Sequence, residues 1–141
     1  MSRRNEIADR LAEVPLFSSC TKRERSTIAR HTEQASLDPE TALVTEGELG
    51  DAFYVVLDGR AGVWRDGRRI GTIEPGGWFG ELALLDAAPR NATVVADEPV
   101  TVAILGARVF AVLLREIPNM SEKLMRGLAR RLRDVDAHHP Q

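Results

Sequence analysis

The chain carries one cysteine, Cys20, in 141 residues. A lone thiol cannot close an intramolecular disulfide or build a sulfur-rich zinc cage. Such usage fits a reducing compartment. Histidine is nearly as scarce: His31, His138 and His139 are the three. All lie outside the segment that reads as β structure. A metal enzyme built on such a segment needs clustered histidines with a carboxylate, so that chemistry is not expected. Nor is there a Gly-x-Ser-x-Gly elbow, a Gly-x-x-x-x-Gly-Lys loop or a plausible Cys/His pair. An excess of one charge is also missing. Nineteen basic against 21 acidic residues leave a formal net charge of −2, which draws the chain to neither nucleic acid nor an anionic membrane. No apolar run approaches the ~20 residues that span a bilayer. Ser2-Arg3-Arg4 leads into Asn5-Glu6 rather than into an apolar signal core. The expectation is a soluble, cytoplasmic, non-enzymatic protein that needs no metal.

What the chain does have is 43% apolar and 28% charged residues, enough for one domain with a real core over 1–141. Ile7, Leu11 and Val14 recur at steps of four and three, and Pro15 stops the run, which predicts a first helix. Thr21-Lys22-Arg23-Glu24 has the form of a capping box. It predicts a second helix to about His31, with Ile28 buried. From about Glu33 to Leu105 the pattern changes to short β-rich runs. Strands are expected near Thr41–Thr45, Phe53–Leu57, Gly62–Arg65, Arg69–Ile73, Thr93–Ala96 and Val100–Leu105. Turn residues separate them, and Asp66-Gly67 predicts a hairpin. Short strands at such spacing argue for a sandwich or barrel. Helix returns with Val109, Phe110, Leu113 and Leu114 on one face, broken at Ile117-Pro118. Met120, Leu124, Leu128, Leu132 and Val135 then form one amphipathic stripe. The organisation is therefore helices over 1–32, a β core over 33–105, helices over 106–136 and a tail over 137–141.

The densest signal is the run from Phe79 to Ala96. Gly80 stands against Glu81, and a helix-forming stretch, Leu82 to Leu85, follows. A turn from Asp86 to Pro89 then delivers Arg90, and a β-branched strand begins at Thr93. Glycine lets backbone approach a ligand closely. The open N–H groups of a short helix favour an anion. Arginine offers a planar fork matched to phosphate, and a carboxylate accepts from sugar hydroxyls. Together these residues suit one small, anionic, hydroxylated ligand.

This stretch resembles the phosphate-binding cassette of the cyclic nucleotide-binding domain family. That family includes bacterial catabolite activator proteins, regulatory subunits of cAMP-dependent protein kinase and cyclic nucleotide-gated channels. Glu46-Gly47-Glu48-Leu49-Gly50-Asp51, with the strand Ala52 to Asp58 and Gly59, resembles the family's glycine-rich turn. Val14-Pro15-Leu16-Phe17 resembles its lead-in. The resemblance spans roughly residues 5 to 130. It implies a mainly β fold with flanking helices: an eight-stranded β-roll of double-stranded jelly-roll type, with the cassette at 79–93. On this view the chain is a stand-alone, bacterial-type domain.

The resemblance also implies roles. Arg90 would pair with the exocyclic oxygens of a cyclic phosphate, and Glu81 with the ribose 2′-hydroxyl. Backbone at Gly80, Leu82, Ala83, Asn91 and Ala92 would complete the phosphate site. Leu49 could line the pocket. Gly50 reads as structural, in a turn with positive φ. Asn91 departs from the family's commoner Ala, Ser or Thr and leaves base choice open between cAMP and cGMP; composition and family frequency favour cAMP. The C-terminal stripe has three readings: packing on the β-roll, a homodimer seam, or a cap on the base through Leu124 or Leu128. A helix-turn-helix domain would need roughly 60 more residues, so direct DNA binding is not expected. The implied function is a cyclic nucleotide sensor that moves its C-terminal helices and signals to an unknown effector protein. The alternative is a nucleotide-free interaction or dimerisation module with a vestigial pocket.

Overall fold

The computed structural model describes residues 3–14, 17–80, 88–123, 125, 126 and 129. They fall into two compact units, 1–30 with 112–141 and 31–111.

In the first unit, α1 (Arg3–Leu11) packs against α2 (Lys22–Arg30). Ile7 and Leu11 are buried, and Val14 and Phe17 continue the apolar contacts past the helix end. The capping box forms as its sequence requires. The Glu24 N–H donates to Thr21 Oγ1 at 3.1 Å, and the Thr21 N–H donates to Glu24 Oε1 at 2.8 Å. Helix α2 stops at Arg30, one residue before His31, with Ile28 buried as expected. Helix α3 (Ala107–Glu116) enters this unit with Leu113, and Ile117 and Met120 are buried after it. The break at Ile117-Pro118 is present, and helical backbone resumes at 120–123, 125–126 and 129. Of the predicted stripe, Met120 is described and buried, while Leu124, Leu128, Leu132 and Val135 lie outside the described residues.

The second unit is the β-roll. Its strands are β1 (Glu33–Leu37), β2 (Ala42–Val44), β3 (Leu49–Gly50), β4 (Ala52–Asp58) and β5 (Ala61–Arg65). Then follow β6 (Arg68–Ile73), β7 (Trp78–Phe79), β8 (Ala88–Pro89), β9 (Thr93–Ala96) and β10 (Val100–Gly106). One sheet has the order β1-β10-β4-β7, the second β2-β9-β5-β6, and β3-β8 form a separate ribbon. Every strand pair is antiparallel. Between the two large sheets lies one apolar cluster. Val56, Phe79, Val100 and Val102 come from the first sheet, and Ala61, Ile73, Val94 and Ala96 from the second. Each fully buried valine contributes about 1.5–3 kcal/mol relative to exposure. Phe53, Val55 and Leu57, on the other face of β4, are buried as well. A strand buried on both faces reads as a continuous apolar run, which is how Phe53 to Leu57 reads.

All six expected strands are present, within one residue at each end. The Asp66-Gly67 hairpin joins β5 to β6, with φ of 53° and 77° at its two central residues. Two positive φ values suit the right-handed twist of the flanking strands. Pattern reading missed β1, β3, β7 and β8. Strand β1, Glu-Gln-Ala-Ser-Leu, is a half-exposed edge strand whose two inward residues, Ala35 and Leu37, are too few to read as a pattern. The other three have two residues each, too short for any periodicity. The resemblance implies eight strands; the described residues hold ten segments, eight of them in the two large sheets.

Candidate ligand-binding site

Arg90 sits where the β3–β8 ribbon opens. Leu49 faces Pro89 and Gly50 faces Ala88 across that ribbon. The backbone of Arg90 is then held on both sides. Its N–H donates to the Glu48 carbonyl at 2.8 Å, and its carbonyl accepts the Gly47 N–H at 2.8 Å. The glycine-rich turn therefore grips the arginine-bearing turn as a further rung of the ribbon.

The Arg90 side chain is partly buried. Its Nη2 donates to the Ala52 carbonyl at 2.9 Å, and its Cζ lies 5.9 Å from the centre of the Tyr54 ring. That ring stacks on Phe79, with centroids 4.9 Å apart and planes 6° from parallel. A cation at this distance from an aromatic ring gains roughly 0.5–1 kcal/mol. Five N–H donors surround a guanidinium. Among the described residues, the hydrogen bond it makes is the one to Ala52.

Two glycines leave room for this seat. A Cβ on Gly50 would stand 2.0 Å from Arg90 Nε and 2.3 Å from Cζ. The expectation of a positive φ at Gly50 is therefore corrected. Gly50 belongs to β3, and the left-handed residue of the turn is Gly47, at 87°. Gly50 is needed because the guanidinium lies where a side chain would begin. Gly80 has φ of 86°, and a Cβ there would meet both the Ala52 oxygen and Arg90 Nη1 at 2.7 Å.

Of the sequence-predicted site residues, Gly80 and Arg90 meet directly in this seat. Asn91 and Ala92 follow Arg90, the first exposed and the second buried. The Asn91 carbonyl accepts Arg65 Nε–H at 2.9 Å. Leu49 is 75% exposed, an unusual state for a leucine on a formed strand. Glu81, Leu82, Ala83, Leu85, Leu124 and Leu128 lie outside the described residues. Trp78 is a buried core residue. Trp64 lies on the roll's surface beneath Arg69, which forks onto Asp97 at 2.9 and 2.6 Å. Sequence reading missed the Ala52 carbonyl, Tyr54 and Arg65. Tyr54 faces Phe79 because β4 pairs with β7 there, and a two-residue strand leaves no pattern to read. A backbone acceptor leaves no mark in side-chain pattern.

A family model described as "Cyclic nucleotide-binding domain" matches residues 34–116, more than half of the chain. The chain belongs to the cyclic nucleotide-binding domain family. Among its similar proteins is a cAMP-dependent protein kinase regulatory subunit from Yarrowia lipolytica, 43% identical over 106 residues. That match covers 74% of this chain, which spans only 28% of the length of that curated relative. Solved structures agree. The N-terminal domain of a transcriptional regulator from Streptomyces coelicolor A3(2) superposes with a TM-score of 0.76 at 30% identity, covering 94% of this chain and 96% of that one. The regulatory domain of Toxoplasma gondii PKA, crystallised with cAMP, gives 0.77 at 28% identity, covering 91% of this chain and 50% of that one. In this cyclic nucleotide-binding domain, the seat of Arg90 and all of the β-roll's strands but for Glu33, the first residue of β1, fall within the matched residues.

Proposed function

We propose that this domain is a cyclic nucleotide sensor, with cAMP as its ligand, that signals through its C-terminal helices to a separate effector protein. The seat of Arg90 carries the reading. A guanidinium is gathered by the Ala52 carbonyl, the Tyr54 ring and two glycines that leave it space. Such a fork suits bidentate recognition of phosphate oxygens. Arg90 takes the exocyclic oxygens of the cyclic phosphate. The amides of Leu82, Ala83, Asn91 and Ala92 add donors, and Gly80 lets the backbone come close. Glu81 accepts the ribose 2′-hydroxyl. Leu49 lines the pocket, and Leu124 or Leu128 covers the base. Ligand shifts Leu82 and Leu85, and the C-terminal helices reposition. On this reading the domain binds its nucleotide without catalysis, and a homodimer through the C-terminal helix is the assembly it allows.

Calorimetric titration with cAMP, then cGMP, tests the proposal. The expected result is one nucleotide per chain, with cAMP the tighter. Arg90→Leu should weaken binding by ~100-fold or more, since charge-assisted hydrogen bonds are worth roughly 1.5–3 kcal/mol each. Arg90→Lys should recover little, because a point charge lacks the fork. No heat and no thermal stabilisation with either nucleotide at millimolar concentration would favour an interaction module with a vestigial pocket.

A further inference from the structure

The two amides that follow Arg90 are oriented by different means. An amide N–H and the carbonyl of the preceding residue belong to one planar, trans peptide and point in opposite directions. Whatever fixes that carbonyl therefore aims that N–H. The Asn91 amide is set by backbone, because the Arg90 carbonyl accepts the Gly47 N–H. The Ala92 amide is set by a side chain, because the Asn91 carbonyl accepts Arg65 Nε–H at 2.9 Å.

Arg65 is itself held in place. It ends β5 beside the Asp66-Gly67 turn, paired with Arg68. The Asp66 N–H donates to Glu46 Oε1 at 3.1 Å, and the Glu46 N–H donates to Thr93 Oγ1 at 2.8 Å. The hairpin tip, the glycine-rich turn and the start of β9 are thus tied together around the Arg90 turn. A charged donor on a carbonyl also polarises the peptide and makes its N–H a stronger donor. Arg65 lies 25 residues from Arg90 in sequence, on a hairpin whose pattern reads only as surface.

We infer that Arg65 is a positioning residue of the ligand site, its Nε–H on the Asn91 carbonyl aiming the Ala92 amide at the ligand phosphate. The inference rests on the cyclic nucleotide reading above. It asks for a donor at the Nε position, not for a charge. Glutamine tests this distinction, because its Nε2 stands as many bonds from the backbone as arginine Nε and is neutral. Methionine keeps the length and removes the donor.

The experiment compares Arg65→Met and Arg65→Gln with the parent protein. Two quantities are read: cAMP affinity by calorimetry, and the amide shift of Ala92 in the ligand-free protein by NMR. Arg65→Met should bind about three- to tenfold more weakly and move the Ala92 amide. Arg65→Gln should restore most of both. Parent-like affinity in Arg65→Met overturns the inference. So does an Arg65→Gln as weak as Arg65→Met, which would assign the effect to charge through space. Should Arg65→Met fail to fold, Arg65→Asn, which retracts the donor by one bond, takes its place under the same criteria. If the parent protein binds neither nucleotide, the functional reading fails and carries this inference with it. If the parent binds and Arg65→Met binds equally well, this inference falls alone.

Discussion

Gly50 and Gly80 both crowd Arg90, yet an added methyl group would act differently at the two positions. At Gly50 the obstacle is the guanidinium, the mobile end of a long side chain, and the backbone is not left-handed. Gly50→Ala should displace Arg90 from its seat and leave the fold intact. At Gly80 the obstacle includes the Ala52 carbonyl, and φ is 86°. Strain at such a position costs of order 1–3 kcal/mol. Thermal melts and cAMP titrations of both variants separate the two effects. Gly50→Ala should melt near the parent temperature and bind at least about tenfold more weakly, a loss of about 1.4 kcal/mol or more. Gly80→Ala should both melt lower and bind more weakly. A Gly50→Ala protein with parent affinity would show that the seat of Arg90 does not matter to the ligand. At this scale the sequence singled out Arg90 only through the cassette-like run around it, since an arginine after a turn is by itself an ordinary solvated charge. The reason for Gly50 was hidden, since it depends on where the guanidinium folds back from 40 residues away.

At the scale of the element, Thr21 to Glu24 was legible because a capping box is a local arrangement: donor and acceptor lie three residues apart. Its second use was not. Glu24 Oε1, already taken by the Thr21 N–H, also accepts Lys123 Nζ at 2.7 Å, and both side chains are 16% exposed. That contact joins residues 99 positions apart and ties α2 to the helix that begins after Asn119. Burial alone would raise the Glu24 pKa. The Lys123 hydrogen bond, the Thr21 N–H and the Lys123 charge outweigh it and hold the carboxyl below its usual range. A carboxyl with a lowered folded pKa stabilises the fold above its unfolded pKa, near 4.3, and loses that contribution as pH falls through the folded value. Glu24→Gln keeps an acceptor for the Thr21 N–H and removes the charge. It should cost about 1–2 kcal/mol at pH 7. Denaturant melts from pH 7 down to 3 should show the gap between parent and variant closing on the acid side. A gap that is constant with pH would mean that packing, not the ion pair, is lost. Asp97, held low chiefly by its hydrogen bond from Arg69, has the same sign. That pair is more exposed, and its share should be small.

For the whole molecule, the alternation of short runs and turn residues was enough to show helices, then a β core, then helices. It could not show how the strands divide between two sheets, because β10 pairs with β1 and β4 from distant parts of the chain. Those pairings also bear on signalling. Arg90 donates to the Ala52 carbonyl, Ala52 pairs with Gly106, and the first residue of α3, Ala107, donates its N–H to the Asp51 carbonyl at 2.8 Å. The seat of the candidate phosphate ligand and the start of α3 therefore rest on the same two residues of backbone. A ligand that draws Arg90 toward itself changes what Ala52 holds, one peptide away from the anchor of α3. By linkage, ligand shifts the helices only as far as it binds one of their positions better than the other. Hydrogen exchange of residues 106–135 with and without saturating cAMP measures that difference. In the parent protein, protection in this segment should change on binding. Leu85→Ala should bind cAMP with nearly parent affinity and show a blunted change, since Leu85 is the proposed apolar relay. Should Leu85→Ala keep the full response, the relay passes through the Asp51–Ala107 bond instead. An unchanged segment in the parent protein would mean that the domain binds its nucleotide without reporting it through these helices.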